Sequence, residues 1–216
     1  MRLVNKVWCG IFFPLVGIIP KRIGAPIVQG PAILVANHSS YFDIPVITDV
    51  MNRYHTFVGK DSIGKIPLFG FMYRGLHILL NRESTRDRKK TFALMGRALR
   101  AGKVVVLFPE GGIKSNLQPG LGRFYDGAFA AAIKFKVPIQ AVSLPLNWKI
   151  FPDDGTFTAR HITPVVIAHE PIETRHLTHN DADELKNRMY DAILQDIHSY
   201  NPGIATKHNE NLVRNS

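Results

Sequence analysis

A chain of 216 residues, 45% of them hydrophobic, is long enough to bury one full core and too apolar to be disordered. The lone Cys9 excludes an internal disulfide and a cysteine-based zinc site, and the nine histidines form no His-x-Glu-x-His or His-Glu-x-x-His cluster, so a metal has no basis in the sequence. Lys+Arg of 27 against Asp+Glu of 17 leave a net charge of +10, which fits an anionic partner. The excess is local: residues 60–103 carry eleven basic and three acidic side chains, and residues 1–30 carry four basic ones and no acid. Phosphate-bearing substrates, anionic lipids and acidic carrier proteins all suit such a surface. Nucleic acid does not, because the basic run lacks interleaved aromatics and no reader motif is present.

Residues 7–19 are apolar and end at Pro20-Lys21-Arg22. The run is too short to span a bilayer, and Pro14 with two glycines weakens a helix. No small-x-small cleavage site follows it, and the cations lie on the wrong side for a signal peptide. It reads either as a segment dipping into one leaflet, with Trp8 and the flanking cations near the headgroups, or as a buried first helix.

Residues 32–36 form an apolar run of strand length, followed by Asn37-His38-Ser39-Ser40-Tyr41-Phe42-Asp43. A tight turn at this point folds the Asp43 carboxylate back onto the His38 ring. The carboxylate then fixes the tautomer and stabilises the imidazolium, leaving the other nitrogen to take a proton from a hydroxyl. Asp43 also suits the start of a helix over 44–52, with Pro45 close behind. A short strand is expected over 56–58. The stretch 60–72 is rich in Gly, Pro and large apolar residues, suggesting a loop that lines an apolar cleft or packs into the core.

Residues 77–80 read as a strand ending at Asn81-Arg82-Glu83. From there Ser84 caps a helix with Phe92, Met95 and Leu99 on one face and Gly102 at its stop. The opposite face carries Arg86, Arg88, Lys89, Lys90, Arg97 and Arg100, either solvated or resting on acidic headgroups or a carrier protein. The run Val104-Val105-Val106-Leu107-Phe108 is typical of a strand buried on both faces of a parallel sheet. It leads into Pro109-Glu110-Gly111-Gly112, where the paired glycines let backbone N–H groups approach a ligand. A helix over 121–136, strands over 137–144 and 163–168, and an amphipathic helix over 182–200 follow. Strands alternating with helices imply a single α/β domain with a mostly parallel central sheet, and functional loops at the carboxyl ends of its strands.

Four blocks in this order resemble the glycerolipid acyltransferase family that includes 1-acyl-sn-glycerol-3-phosphate acyltransferase. They are Asn37-His38-x-x-x-x-Asp43, residues 60–70 with Asn81-Arg82, Phe108-Pro109-Glu110-Gly111, and Val137-Pro138-Ile139; Phe124 with Gly127-Ala128-Phe129 also resembles the stretch between the last two. The third block departs from the family's common Glu-Gly-Thr-Arg-Ser: Ile113 replaces the arginine, with Lys114 one place later, so phosphate recognition leans on Arg82. The second shows Ser62-Ile63 where Glu-Leu is frequent.

The resemblance implies acyl transfer from acyl-CoA or acyl-carrier protein to 1-acyl-sn-glycerol-3-phosphate, giving phosphatidic acid, with no cofactor. It implies His38 as base and Asp43 as its partner, with Arg82 and Lys114 at the phosphate. Glu110, Gly111 and Gly112 fall at the acceptor's glycerol end, and Lys60 or a backbone N–H at the oxyanion. Residues 1–25 are then a membrane-associating segment, 26–200 the acyltransferase domain and 201–216 a polar tail. The expected location is the cytoplasmic face of the cell membrane, against anionic lipid. Another lyso-lipid acceptor, or a non-catalytic basic membrane-binding protein, are the competing readings.

Overall fold

The computed structural model describes residues 13, 17–51, 54–60, 77–80, 84–155 and 158–202, without the side chains of residues 60 and 85. Among the described residues seven strands form one sheet: β1 (Lys21–Gly24), β2 (Ala32–Ala36), β3 (His55–Lys60), β4 (Ile78–Leu80), β5 (Val104–Leu107), β6 (Ile139–Ser143) and β7 (Val165–Ala168). Their order is β1-β7-β6-β2-β5-β3-β4. Every adjacent pair is parallel except β6 with β7, which run antiparallel.

The unbroken apolar runs of β2 and β5 follow from their central position, since both faces are covered. Side chains alternate along β2. Ile33 and Val35 join Val105, Ile139 and Ala141 in one core layer, whereas Leu34 and Ala36 join Val106 and Val142 in the other. The first layer is closed by α2 (Thr85–Arg100), α3 (Gly127–Phe135) and α5 (Ala182–Tyr200), through Met95 and Leu99, Phe129 and Ala132, and Leu185, Met189, Ile193 and Ile197. The second is closed by α1 (Asp43–Val50) and the four-residue α4 (Asn147–Ile150), through Val46, Ile47, Val50 and Ile150. Ser84 caps α2 by accepting from the Asp87 N–H at 3.1 Å, and Gly102 follows the helix with φ 73°, a conformation that favours glycine.

Several expectations are corrected. The helix expected over 121–136 begins only at Gly127, because the preceding backbone is engaged elsewhere: Gly122 N–H donates to Glu110 and Tyr125 N–H to the Pro109 carbonyl. Lys21–Gly24, grouped at sequence level with the N-terminal segment, is an edge strand of the sheet. Phe13 and Ile18, of the apolar run 7–19, are buried in the second core layer, with Phe13 edge-on to Phe42 at 5.7 Å. The rest of that run up to residue 16 lies outside the described residues, as do 61–76, 81–83 and 203–216. No helix among the described residues is long and apolar enough to cross a membrane. Asn201, placed in the polar tail, is buried and closes α5 by donating to the Ile197 and Pro145 carbonyls.

Candidate active site

The carboxyl ends of three adjacent strands, β6, β2 and β5, converge at one edge of the sheet. His38 follows β2, Glu110 follows β5 and Asn147 follows β6. This is where an open α/β sheet offers a crevice.

The turn after β2 brings His38 Nδ1 to 2.8 Å from Asp43 Oδ2. The same oxygen accepts the N–H groups of Ser39 at 2.8 Å and Ser40 at 2.9 Å, while Oδ1 accepts from the Asn147 amide at 2.8 Å. Asp43 is wholly buried at the first residue of α1, where the helix dipole favours its negative charge. Four donors replace the water it has lost. The His38 side chain keeps 15% exposure, and its ring stacks on Phe108 with centroids 4.1 Å apart and planes 17° from parallel. Phe108 in turn stacks on Phe57 at 6.1 Å. A carboxylate on one nitrogen and an aromatic plane along one face hold the imidazole so that Nε2 is left to exchange a proton.

Glu110, expected at the acceptor end of the site, instead turns both oxygens onto the chain's own backbone. Oε1 accepts the His38 N–H and Oε2 the Gly122 N–H, each at 2.7 Å, with the residue 1% exposed. Burial pushes this carboxyl up to about 7, and the two backbone donors pull it only part of the way back. Its place is beneath the histidine, tying the loop after β5 to the loop after β2. Gly111 and Gly112 follow at φ 84° and 154°, backbone that a side chain would strain. Lys114 is exposed, and its Cγ lies 3.2 Å from where a side chain on Gly122 would begin. Lys60 closes β3 opposite Leu80, with only its backbone described, and Arg82 lies outside the described residues. The sequence-derived set is therefore brought together in part: His38, Asp43, Glu110 and the Gly111-Gly112 turn.

Asn37 and Asn147 were not foreseen as site residues. Asn37, 3% exposed, pairs its side-chain amide with the backbone of Leu144, donating to the carbonyl at 3.1 Å and accepting the N–H at 2.7 Å. Ser40 Oγ donates to the Phe151 carbonyl at 2.7 Å, and Tyr41 to Asp153 at 3.0 Å. The histidine loop is thus laced along the whole segment 144–153. Asn37→Ala should cost about 1–3 kcal/mol for each of the two Leu144 groups left buried without a partner, measurable by urea unfolding.

Phe108 also stands in the wall of a cavity of about 460 Å³, lined mainly by Val58, Leu80, Phe92, Met95 and Leu107, with Arg88 and Thr91 among its polar members. A second serine–histidine–aspartate cluster, Ser143, His169 and Asp196, is not a nucleophilic triad. Ser143 Oγ donates to Asp196 at 2.6 Å, and His169 Nε2 lies 2.8 Å from that carboxylate and 3.3 Å from Ser143 Oγ, so a single ring nitrogen meets both partners where a triad needs one nitrogen on each. It ties β6 and β7 to α5. Among the described residues no group of three His, Cys, Asp or Glu side chains could hold a metal ion.

The fold that carries this site has a counterpart among solved structures. The crystal structure of a 1-acyl-sn-glycerophosphate (LPA) acyltransferase from Thermotoga maritima superimposes with a TM-score of 0.74, over 93% of this chain and 79% of that one, at 20% identity. The sequence matches the acyltransferase family over residues 18–145, more than half of the chain, and the protein belongs to that family. Among its relatives, the chloroplastic 1-acyl-sn-glycerol-3-phosphate acyltransferase LPAT1 of Arabidopsis thaliana is 29% identical over 79% of this chain and 48% of its own length. The 1-acyl-sn-glycerol-3-phosphate acyltransferase of Haemophilus influenzae is 34% identical over 62% of this chain and 57% of its own. The chain spans about half the length of these relatives.

Proposed function

We propose that the protein transfers a fatty acyl group from an acyl-CoA or acyl-carrier-protein thioester to the free hydroxyl of 1-acyl-sn-glycerol-3-phosphate, giving phosphatidic acid. The observation that carries this reading is the 2.8 Å contact between His38 Nδ1 and the buried Asp43 carboxylate, beside a cavity apolar enough for an acyl chain. His38 Nε2 takes the acceptor's hydroxyl proton as the oxygen attacks the thioester carbonyl. Asp43 stabilises the imidazolium that forms. When the carbon–sulfur bond breaks, the imidazolium returns its proton to the departing thiolate, and His38 is neutral again. Alignment of two bulky substrates supplies a rate contribution at least comparable to that of general-base help, which is on the order of 10²–10⁴.

In this reading Arg82 and Lys114 hold the acceptor phosphate, the Gly111-Gly112 backbone lies along its glycerol, and Lys60 or a backbone N–H faces the oxyanion. Glu110 keeps the histidine loop in place. Acceptor and product are both lipids, so the enzyme works at a membrane surface, taken to be the cytoplasmic face of the cell membrane. The exposed Arg86, Lys89, Lys90, Arg97 and Arg100 of α2 present cations to anionic headgroups.

The test incubates purified protein with vesicles containing lysophosphatidic acid and either donor, and identifies the lipid formed by mass spectrometry. Phosphatidic acid is the expected product. Acylation confined to a lyso-lipid without a phosphate monoester would reassign the acceptor. Vesicle binding without any acyl transfer would make the chain a non-catalytic membrane binder.

A further inference from the structure

We propose that Asn147 is a positioning residue for this chemistry: its side-chain N–H fixes the plane of the Asp43 carboxylate, and through it the His38 ring. The inference rests on the reading of His38 and Asp43 as the reacting pair.

The two oxygens of Asp43 are held in different ways. Oδ2 takes His38 Nδ1 and the N–H groups of Ser39 and Ser40, all within five residues of Asp43 along the chain. Oδ1 takes the Asn147 amide, 104 residues away. Three donors converging on one oxygen leave the carboxylate able to swing about that oxygen. A fourth donor on the other oxygen stops the rotation. An ionised carboxylate only accepts hydrogen bonds, so the amide must present its nitrogen to it.

The surroundings of Asn147 point the same way. The residue is wholly buried, and its own Oδ1 has no hydrogen-bond partner. An amide kept in a core with one of its four hydrogen-bonding positions used is unfavourable as packing, because an apolar side chain of similar size would avoid the desolvation cost. Its side-chain bond among the described residues goes to a carboxylate, which makes it of the stronger class. The backbone on either side of Asn147 is clamped to the histidine loop, at Leu144 by Asn37 and at Phe151 by Ser40. Carboxylate and amide are therefore held in register by contacts other than their own.

The experiment measures steady-state acyl transfer for Asn147→Ala, Asn147→Asp and His38→Ala across a pH series, with thermal melts at each pH to verify folding. Asn147→Ala should lower kcat by about 10- to 100-fold, the range that supporting partners of reactive groups command elsewhere, with KM for both substrates unchanged and a ratio to wild type that is flat with pH. Asn147→Asp nearly preserves shape but sets two carboxyls at hydrogen-bond distance. At low pH they share a proton, and an O–H takes the place of the lost N–H. As pH rises both ionise and repel. The ratio of its kcat to wild type should therefore fall with rising pH. A packing role predicts a flat ratio for both variants. Wild-type turnover in Asn147→Ala, or a flat ratio in Asn147→Asp, overturns the proposal while an inactive His38→Ala leaves the underlying reading intact. Full activity in His38→Ala overturns both.

Discussion

Replacing His38 with alanine should lower acyl transfer by about 10²- to 10⁴-fold, the contribution of a well-placed general base, while leaving the fold intact. The ring is partly exposed and its backbone N–H, which Glu110 holds, survives the substitution. Asp43→Asn should fall nearly as far for a different reason. The new amide must keep its oxygen toward His38 and the Ser39 and Ser40 N–H groups, so its NH₂ faces Asn147, whose own amide has to turn over to offer its oxygen. The negative charge that steadies the imidazolium is lost as well. Initial rates with a saturating donor, alongside circular dichroism of each variant, provide the check. Turnover in His38→Ala within a few-fold of wild type would end the general-base assignment.

The largest effect on stability belongs to Glu110. Its alanine variant leaves the His38 and Gly122 N–H groups buried and unpaired, at about 1–3 kcal/mol each before the lost volume is counted. The glutamine variant removes the titration, at the cost of turning its NH₂ onto one of the two backbone N–H groups at every pH. The carboxyl is held near pH 7 in the folded chain against an ordinary value of 4.5, so between those limits the folded state binds more protons than the unfolded one. Stability from this group therefore declines as pH rises through that window, by about 3 kcal/mol in all, and is level above it. His77 works in the opposite sense. Burial, followed by the charges of His55 and Lys103, lowers it to about 4, so it adds stability as pH rises from about 4 to its ordinary 6.5. The two trends partly cancel in the wild-type profile. Glu110→Gln removes one of them, so its stability relative to wild type should improve steadily from pH 5 to pH 7.5 in urea titrations. A difference independent of pH would show that Glu110 is ionised throughout.

The parts of the site that could be read from sequence are those governed by local geometry. His38 and Asp43 lie five residues apart on one turn, so a strand signal followed by that spacing is enough to pair them. The central strands were legible because burial on both faces demands unbroken apolar runs. Glu110 was legible as a buried carboxylate at a strand end but not in its role, since its partners are backbone N–H groups that no side-chain pattern reveals. The early start expected for α3 failed for the same reason: Leu121 and Phe124 are buried as a helix face would be, yet the Gly122 and Tyr125 N–H groups are committed to the loop after β5. Asn147 gave no signal, being one asparagine at the head of a helix too short to show a period. Nor did β1, four exposed residues whose strand character comes only from pairing with β7.

The stitches between the histidine loop and the segment after β6 join residues 104 to 112 positions apart. A nascent chain that has emerged only as far as the loop after β5 already carries His38, Asp43 and Glu110 with their local contacts, yet lacks the Asn147 amide and the Leu144, Phe151 and Asp153 partners of the histidine loop. On the function proposed here, the histidine loop is fully anchored only once the stretch around residue 150 has been made and has docked. If the pair works as proposed, acyl turnover reports that β6 and the segment after it have docked, and a fragment ending before them lacks the amide that steadies Asp43.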